Sequence, residues 1–463
     1  MYISDLSVHD FRSYTEAVIA LGPGVNAFVG ANGQGKTNVV EAVEYLATAS
    51  SHRVASDGAL IRRGAGAAVV RARVRESQVR DLEAREIGDG EGARLDGETA
   101  ASSGSAARST LIEVEIIAGR ANRARINRGE VKPAQALGIV RAVVFAPEDL
   151  ALVTGDPGTR RKFLDSLMVQ RRPRMAGVKA DFEKVIRQRA ALLKTASKIR
   201  RRGGVFDESS LSVWDAQLAR FGAQIVAARA EIIRELRPFV ADYYRSVSGD
   251  EEPARIDYEA NLDSHAEWEL PNLDQLTVGA HGAAEYGEIV DAHELELMDA
   301  SAVEHRFLEV LEEIRPREIE AGINLIGPQR DDVRLGLGVF PARGFASHGE
   351  SWSYALALRL ASWQVLRSED AWGSEPILIL DDVFAELDEQ RRSRLTSLIV
   401  QAEQVLITAA VGDDLPENLD ARVFDVRESV ITPRAEANQG ESGGSVGETE
   451  VGAVTPEIGS DDE

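Results

Sequence analysis

Gly30-Ala31-Asn32-Gly33-Gln34-Gly35-Lys36-Thr37 fits the pattern G-x-x-x-x-G-K-[ST]. The run before it, Gly24-Val25-Asn26-Ala27-Phe28-Val29, is short, β-branched and aromatic, which predicts a strand ending at the glycine. After it, Val39, Val40, Ala42, Val43 and Leu46 recur at helical spacing, which predicts a helix starting at Lys36. Strand, glycine loop and helix in that order make a phosphate cradle. The glycines let backbone N–H groups turn towards an anion, and the helix amino terminus adds partial positive charge. Lys36 then pairs the outer phosphates and Thr37 offers a hydroxyl to Mg²⁺, so the expected ligands are ATP and Mg²⁺. A plain glycine turn would account for the loop, but not for its context.

Far along the chain, Pro376-Ile377-Leu378-Ile379-Leu380-Asp381-Asp382 is an apolar run ending in two carboxylates. A central parallel strand, buried on both faces, reads this way and delivers acids to its carboxyl end. Asp381 is expected in the Mg²⁺ shell, and Asp382 is expected to orient or deprotonate the attacking water. Most of the chain lies between Lys36 and Asp381. One nucleotide lobe is therefore assembled from both ends of the sequence, an α/β ATPase head formed by residues 1–150 and 315–430. Residues 151–314 form an inserted helical lobe with an acidic stretch.

Other segments fill this outline. Residues 2–11 alternate loosely as a first strand. Residues 67–126 predict more strands, the clearest at 111–117, with Asn127-Arg128-Gly129 as a hairpin turn. Residues 88–109, rich in Gly, Ser, Ala and charge, predict a mobile loop. From 159 to 247 the pattern is helical, and segments 181–198 and 211–237 suit an antiparallel arm turning at Gly203-Gly204. Residues 250–299 are acidic, and 303–314 return to helix. No Lys or Arg follows Arg434, so residues 434–463 predict a disordered acidic tail.

A chain of 463 residues suggests two or three lobes. Its hydrophobic content of 44% and charged content of 28% suit a globular α/β protein rather than a disordered one. The net charge of −23 excludes a surface that binds nucleic acid everywhere, so any such site must be local. Local basic clusters exist at Arg62-Arg63 and Arg71, Arg160-Arg161-Lys162, Arg171-Arg172 with Arg174, and Lys198 with Arg200-Arg201-Arg202. Each could be a solvated face, or several could build one positive groove. The chain has no cysteine, which excludes disulfides and fits a reducing cytosol. Its start lacks a signal core and its longest apolar runs fall far short of a bilayer span, so a cytoplasmic protein without membrane segments is expected.

Ser347-His348-Gly349-Glu350-Ser351 precedes a strong helix former at 354–361. Alone, this is an ordinary amino-terminal cap. Just upstream of the acidic strand, it looks like the signature turn of ABC-type ATPases. Val383-Phe384-Ala385-Glu386-Leu387-Asp388 likewise resembles the D-loop of that class, and Thr408 stands where many of its members have a switch histidine. Four more blocks make the chain resemble the RecF family specifically: Phe11-Arg12-Ser13-Tyr14; Phe145-Ala146-Pro147-Glu148-Asp149-Leu150; Gly155-Asp156-Pro157 followed by Arg160-Arg161-Lys162-Phe163-Leu164-Asp165; and Gly327-Pro328-Gln329-Arg330-Asp331-Asp332.

The resemblance spans residues 1–427. It implies an ABC-type head that dimerises on ATP, in which Ser347 and Gly349 contact the γ-phosphate bound to the other subunit and Asp388 lies at the interface. It places Arg12 near the nucleotide. It further implies a weak, DNA-stimulated ATPase at DNA gaps or single-strand/double-strand junctions, aiding recombinase loading with RecR and RecO proteins. Glu350 departs from the glutamine the resemblance leads one to expect, and Ala146 and Ala385 stand where serine is more usual. An SMC-like tethering protein would need a longer coiled coil between the head halves. A defence or nuclease-associated ATPase should show a second catalytic domain, and a transporter ATPase should have its motifs closer together.

Overall fold

The computed structural model describes residues 1–54, 56–76, 109–250, 252–265, 280–368, 375–416 and 419–434. The expected loop at 88–109 lies outside them except for Ser109, which opens a strand, and the expected tail at 434–463 lies outside them except for Arg434, which pairs with Asp425.

The first strands are β1 (Tyr2–Phe11), β2 (Tyr14–Ala20) and β3 (Gly24–Val29), and α1 (Lys36–Thr48) follows. β1 and β2 join β4 (Ala67–Arg75), β5 (Ser109–Ile117), β6 (Arg123–Ile126) and β7 (Gly129–Val131) in an antiparallel sheet of order β2-β1-β4-β5-β6-β7. In β4, Ala68, Val70, Ala72 and Val74 are buried while Arg71, Arg73 and Arg75 are exposed, so one face of this sheet meets water. The β6–β7 turn needs only Asn127 and Arg128, both at positive φ (49° and 73°), and Gly129 already pairs in β7.

The second sheet has the order β15-β14-β3-β13-β12-β8, from β8 (Ala142–Phe145), β12 (Ile377–Asp381), β13 (Gln404–Ala409), β14 (Ala421–Arg427) and β15 (Val430–Pro433). All its pairings are parallel except β14 with β15. Every residue of β8, β12 and β13 is buried. Successive side chains enter different cores. Ile377, Ile379 and Leu406 pack with α1 and the antiparallel sheet, whereas Leu378, Leu380, Val405 and Ile407 pack with the helices on the other face. Burial on both faces is why these strands read as unbroken apolar runs.

The longer helices are α2 (Pro157–Arg171), α3 (Met175–Arg201), α4 (Ser209–Ser248), α5 (Ala280–Leu297), α6 (Ala300–Ala321), α7 (His348–Ser368) and α8 (Glu389–Ile399). α3 and α4 turn about Gly203, whose φ of 75° favours glycine. α4, 40 residues long, packs against α3, α6 and α7. One hydrophobic core thereby joins Val25 and Ala27 of β3, the α2–α4 and α6 helices, and α7. The packing shows no break at residue 150 or 314, where sequence composition changes.

A third sheet, β11-β10-β9, pairs β9 (Ala254–Glu259) with β10 (Asp332–Leu337), which in turn pairs with β11 (Phe340–Pro341). β9 and α5 lie in the acidic stretch, where composition alone shows no element. The buried Asp257 of β9 hides the alternation, because Tyr286 and Arg237 satisfy it from other parts of the chain.

Inside the helical arm the fully buried Arg189 donates to Asp215 (2.7 Å), Glu318 (2.5 Å) and Asn324 (2.8 Å), tying α3 to α4 and α6. Arg189→Ala would leave two buried carboxylates without their shared cation. It should lower stability by about 3–5 kcal/mol, read as a fall in the urea midpoint. A midpoint within error of the wild type would mean that the arm does not depend on this ion cluster.

Candidate functional site

The loop between β3 and α1 is shaped by close approaches. A Cβ at Gly30 would stand 2.1 Å from the carbonyl oxygen of Val426 on β14, and one at Gly35 would stand 2.8 Å from Tyr14 Oη. Gly35 also has a φ of 113°, and Gly33 one of 83°. These positions therefore require glycine for backbone conformation and space. Tyr14 Oη donates to Gly35 O (3.1 Å), and Lys36 Nζ donates to Asn32 Oδ1 (3.2 Å). The β14–β15 turn grips the loop from outside: Glu428 N donates to Gln34 Oε1 (2.5 Å) and Ser429 N to Gln34 O (3.0 Å). Ala31 lines the same outer side of the loop.

The two acids arrive at the end of β12. Asp381 is 4% exposed, and its Oδ1 accepts from Thr37 Oγ1 (3.0 Å) and Thr408 Oγ1 (2.6 Å). Burial pushes its carboxyl above the ordinary range, as does the neighbouring Asp382 charge, while the hydroxyls of Thr408 and Thr37 oppose the rise. Asp382 turns out of the strand at a φ of 51°, with its N–H held by Thr408 Oγ1 (2.8 Å). Its Oδ1 lies 3.9 Å from Lys36 Nζ and its side chain is 33% exposed, so it faces an accessible space in front of the buried lysine. Thr37, Lys36, Asp381 and Asp382 thus converge, with Thr408 fixing both acids.

Among the described residues, no cluster of three or more His, Cys, Asp or Glu side chains could hold a metal by itself. One hydroxyl and one buried carboxylate instead fit a cation held largely by nucleotide oxygens and water, which is how Mg²⁺ is commonly bound.

Ser347 and Gly349 stand in a second group. Ser347 N donates to Glu350 Oε2 (2.6 Å) and Glu350 N to Ser347 Oγ (3.3 Å), a capping box at the start of α7. Glu350 therefore has a local role that suits a carboxylate, and its bonds to Ser347 hold its carboxyl below the ordinary range. A Cβ at Gly349 would stand 3.0 Å from the Arg391 guanidinium. Asp388 caps α8 through Arg391 N (2.8 Å) and also accepts from the Arg391 side chain (3.2 Å). Among the described residues, no hydrogen bond or ion pair joins Ser347 or Gly349 to the phosphate loop or to the two acids.

Arg12 grips Glu41 of α1 with Nε (2.7 Å) and Nη2, and donates to Ala59 O (3.0 Å). Its guanidinium is thus committed to the helix that begins at the loop. His52 and Glu44, which no motif marked, pair at 2.6 Å near the end of α1. Burial opposes a charged imidazole, but the Glu44 carboxylate outweighs it and raises the His52 pKa.

The blocks that carried the resemblance are largely packing devices. Arg160 pairs with Asp332 (2.7 Å), Arg359 with Asp149, and Arg229 with Asp165 and Asp331, where Tyr258 also donates. Three of the four basic clusters are correspondingly tied up in large part: Arg161 donates to Asp331 O, Arg172 pairs with Glu231, Arg62 with Asp10 and Arg71 with Glu113. Among the described residues, these three clusters do not join into one free positive groove.

The family model described as the RecF/RecN/SMC N terminal domain matches residues 2–427. A protein of Beutenbergia cavernae named "DNA replication and repair protein RecF" is 51% identical over 432 residues, covering 92% of this chain and 98% of that one. A protein of the same name from Streptomyces avermitilis is 46% identical, covering 93% and 99%. The solved structure of "the recombination mediator protein RecF-ATPrS in RecFOR pathway" superposes with a TM-score of 0.73 at 22% identity, covering 94% of this chain and 98% of that one. Among the described residues, no helix is long and apolar enough to cross a membrane.

Proposed function

The chain belongs to the RecF family, and on that premise we propose that it is an ATP-dependent DNA-binding protein of replication and recombinational repair, closing as a homodimer around ATP. The observation that carries this reading is the division of the site. Thr37, Lys36, Asp381 and Asp382 converge at the phosphate loop, while the exposed Ser347 turn and Asp388 form a separate group on the same chain. A second copy would bring its Ser347 turn to the nucleotide held by the first. Val411 and Val430, 54% and 60% exposed beside the loop, would gain cover in the same assembly.

In this mechanism Thr37 and Asp381 would hold a Mg²⁺ ion, which would neutralise charge at the phosphate oxygens. Lys36 neutralises the outer phosphates, and the loop N–H groups from Gly35 to Thr37, which are not bonded elsewhere among the described residues as those of Gly30 and Gln34 are, orient them. Asp382 orients the attacking water, and Thr408 keeps both acids in place. Hydrolysis then releases the dimer. DNA stimulation of a slow ATPase, preference for gaps or single-strand/double-strand junctions, cooperation with RecR and RecO proteins, and a cytoplasmic location complete the proposal.

Ser347→Arg tests the dimer. A bulky cation there should abolish ATP-dependent doubling of mass in light scattering, while each monomer still binds one nucleotide, because the phosphate loop is untouched. If the variant doubled its mass as the wild type does, the turn would be a helix cap and nothing more. Binding of the wild type to gapped, duplex and single-stranded DNA, with and without ATP, tests the DNA preference.

A further inference from the structure

From residue 184 to residue 206 the chain carries eight Lys and Arg residues and no acid. α3 sorts these bases by face. Arg189 points into the buried cluster with Asp215 and Glu318. Lys184, Arg187, Lys194, Lys198 and Arg201 are exposed, and their spacings of three, seven, four and three residues place them along one side of the helix. The row is roughly 25 Å long at about 1.5 Å per residue. Arg187 has Glu183 at 4.0 Å. Lys184, Lys194, Lys198 and Arg201 have no ion-pair partner among the described residues. In a protein with a net charge of −23, whose other basic clusters are mostly paired, this row is a concentrated patch of uncompensated positive charge.

The complementary charge lies in the same chain. Residues 435–463 contain eight acids and no Lys or Arg, and they lie beyond residue 427, where the family match ends. They follow Arg434, which is anchored at the parallel sheet by its pair with Asp425 (2.5 Å). Extended, 29 residues reach up to roughly 95 Å. A compact chain of this size has a radius of gyration of about 22 Å, so α3 is within their reach.

We propose that residues 435–463 dock in cis on the exposed basic row of α3 and shield it from other polyanions. Each exposed charge pair is weak, but the tether keeps eight carboxylates at high local concentration around the row. The contact is electrostatic and weakens as added salt shortens the screening length from about 10 Å at 0.1 M to about 3 Å at 1 M. The inference does not depend on the nucleotide chemistry of the head.

Carbodiimide cross-linking of the full chain, followed by trypsin and mass spectrometry, tests it. Trypsin leaves residues 435–463 as one fragment, because no Lys or Arg follows Arg434. The chain has seven lysines, of which Lys184, Lys194 and Lys198 stand on the row while Lys36, Lys132, Lys162 and Lys179 serve as internal controls. Links from the fragment to the three row lysines should exceed those to the other four at least about fivefold at low salt, and should vanish near about 1 M salt. Links spread evenly, links concentrated on Lys36 or Lys162, or no links at all would overturn the proposal. In parallel, a chain ending at Arg434 should elute from heparin at higher salt than the full chain. The combined Lys184→Gln, Lys194→Gln and Lys198→Gln substitutions should remove that difference. Co-elution of the full and shortened chains would equally overturn the proposal.

Discussion

Lys36→Ala lowers the affinity for ATP by roughly a hundredfold, about 3 kcal/mol, the scale of a lost charge-assisted contact to phosphate. The loss is large because Lys36 is only 3% exposed and is already oriented by Asn32 at 3.2 Å, so little of its charge is screened by water. It also sits 3.9 Å from Asp382, and its removal leaves that carboxylate facing the phosphates without a cation between them. Calorimetry with ATP reads the affinity, and a urea titration checks that the fold survives. Unchanged affinity in a folded variant would overturn the phosphate-loop assignment, since no other lysine stands in that loop.

Asp382→Asn should bind ATP within about threefold of the wild type but hydrolyse it roughly 10²–10³ times more slowly, the range for loss of a positioned proton acceptor. The substitution preserves shape: an amide oxygen can still accept from Thr408 Oγ1, which lies 3.3 Å from Asp382 Oδ1, and the backbone bond to Thr408 is unaffected. Asp381 keeps its bonds to Thr37 and Thr408, so the proposed metal position remains. Slow turnover with retained binding should accumulate the ATP-bound dimer, visible as a persistent doubled mass in light scattering. Equal turnover in variant and wild type would move the catalytic role to another residue.

These two variants divide binding from chemistry at groups only 3.9 Å apart. Ser347→Arg probes a different link, the approach of a second copy. Its outcome can be read independently, because the Ser347 turn shares no hydrogen bond or ion pair with the phosphate loop among the described residues.

What the sequence determined by itself was the chemistry that depends on neighbours in the chain. Residues 30–37 announce their loop because Gly33 and Gly35 answer a local backbone demand at positive φ, and residues 377–381 announce a central strand because burial on both faces excludes polar side chains up to the carboxyl end. The hairpin at Asn127-Arg128 and the arm turn at Gly203 were legible for the same reason. Tertiary structure alone decided the rest. It brought Thr408, which the sequence marked only by its place in the motif order, into hydrogen-bond contact with both Asp381 and Asp382. It committed Arg12 to Glu41, and it neutralised most of the basic clusters with carboxylates far along the chain. It hid β9 behind an aspartate that Tyr286 and Arg237 satisfy. It gave Glu350 a cap to make, and it kept the Ser347 turn in a separate group from the phosphate loop. The physical reason is common to all of these. A side chain's charge and shape are written at its own position, but whether that charge is paired, buried or free depends on partners that the fold brings from elsewhere.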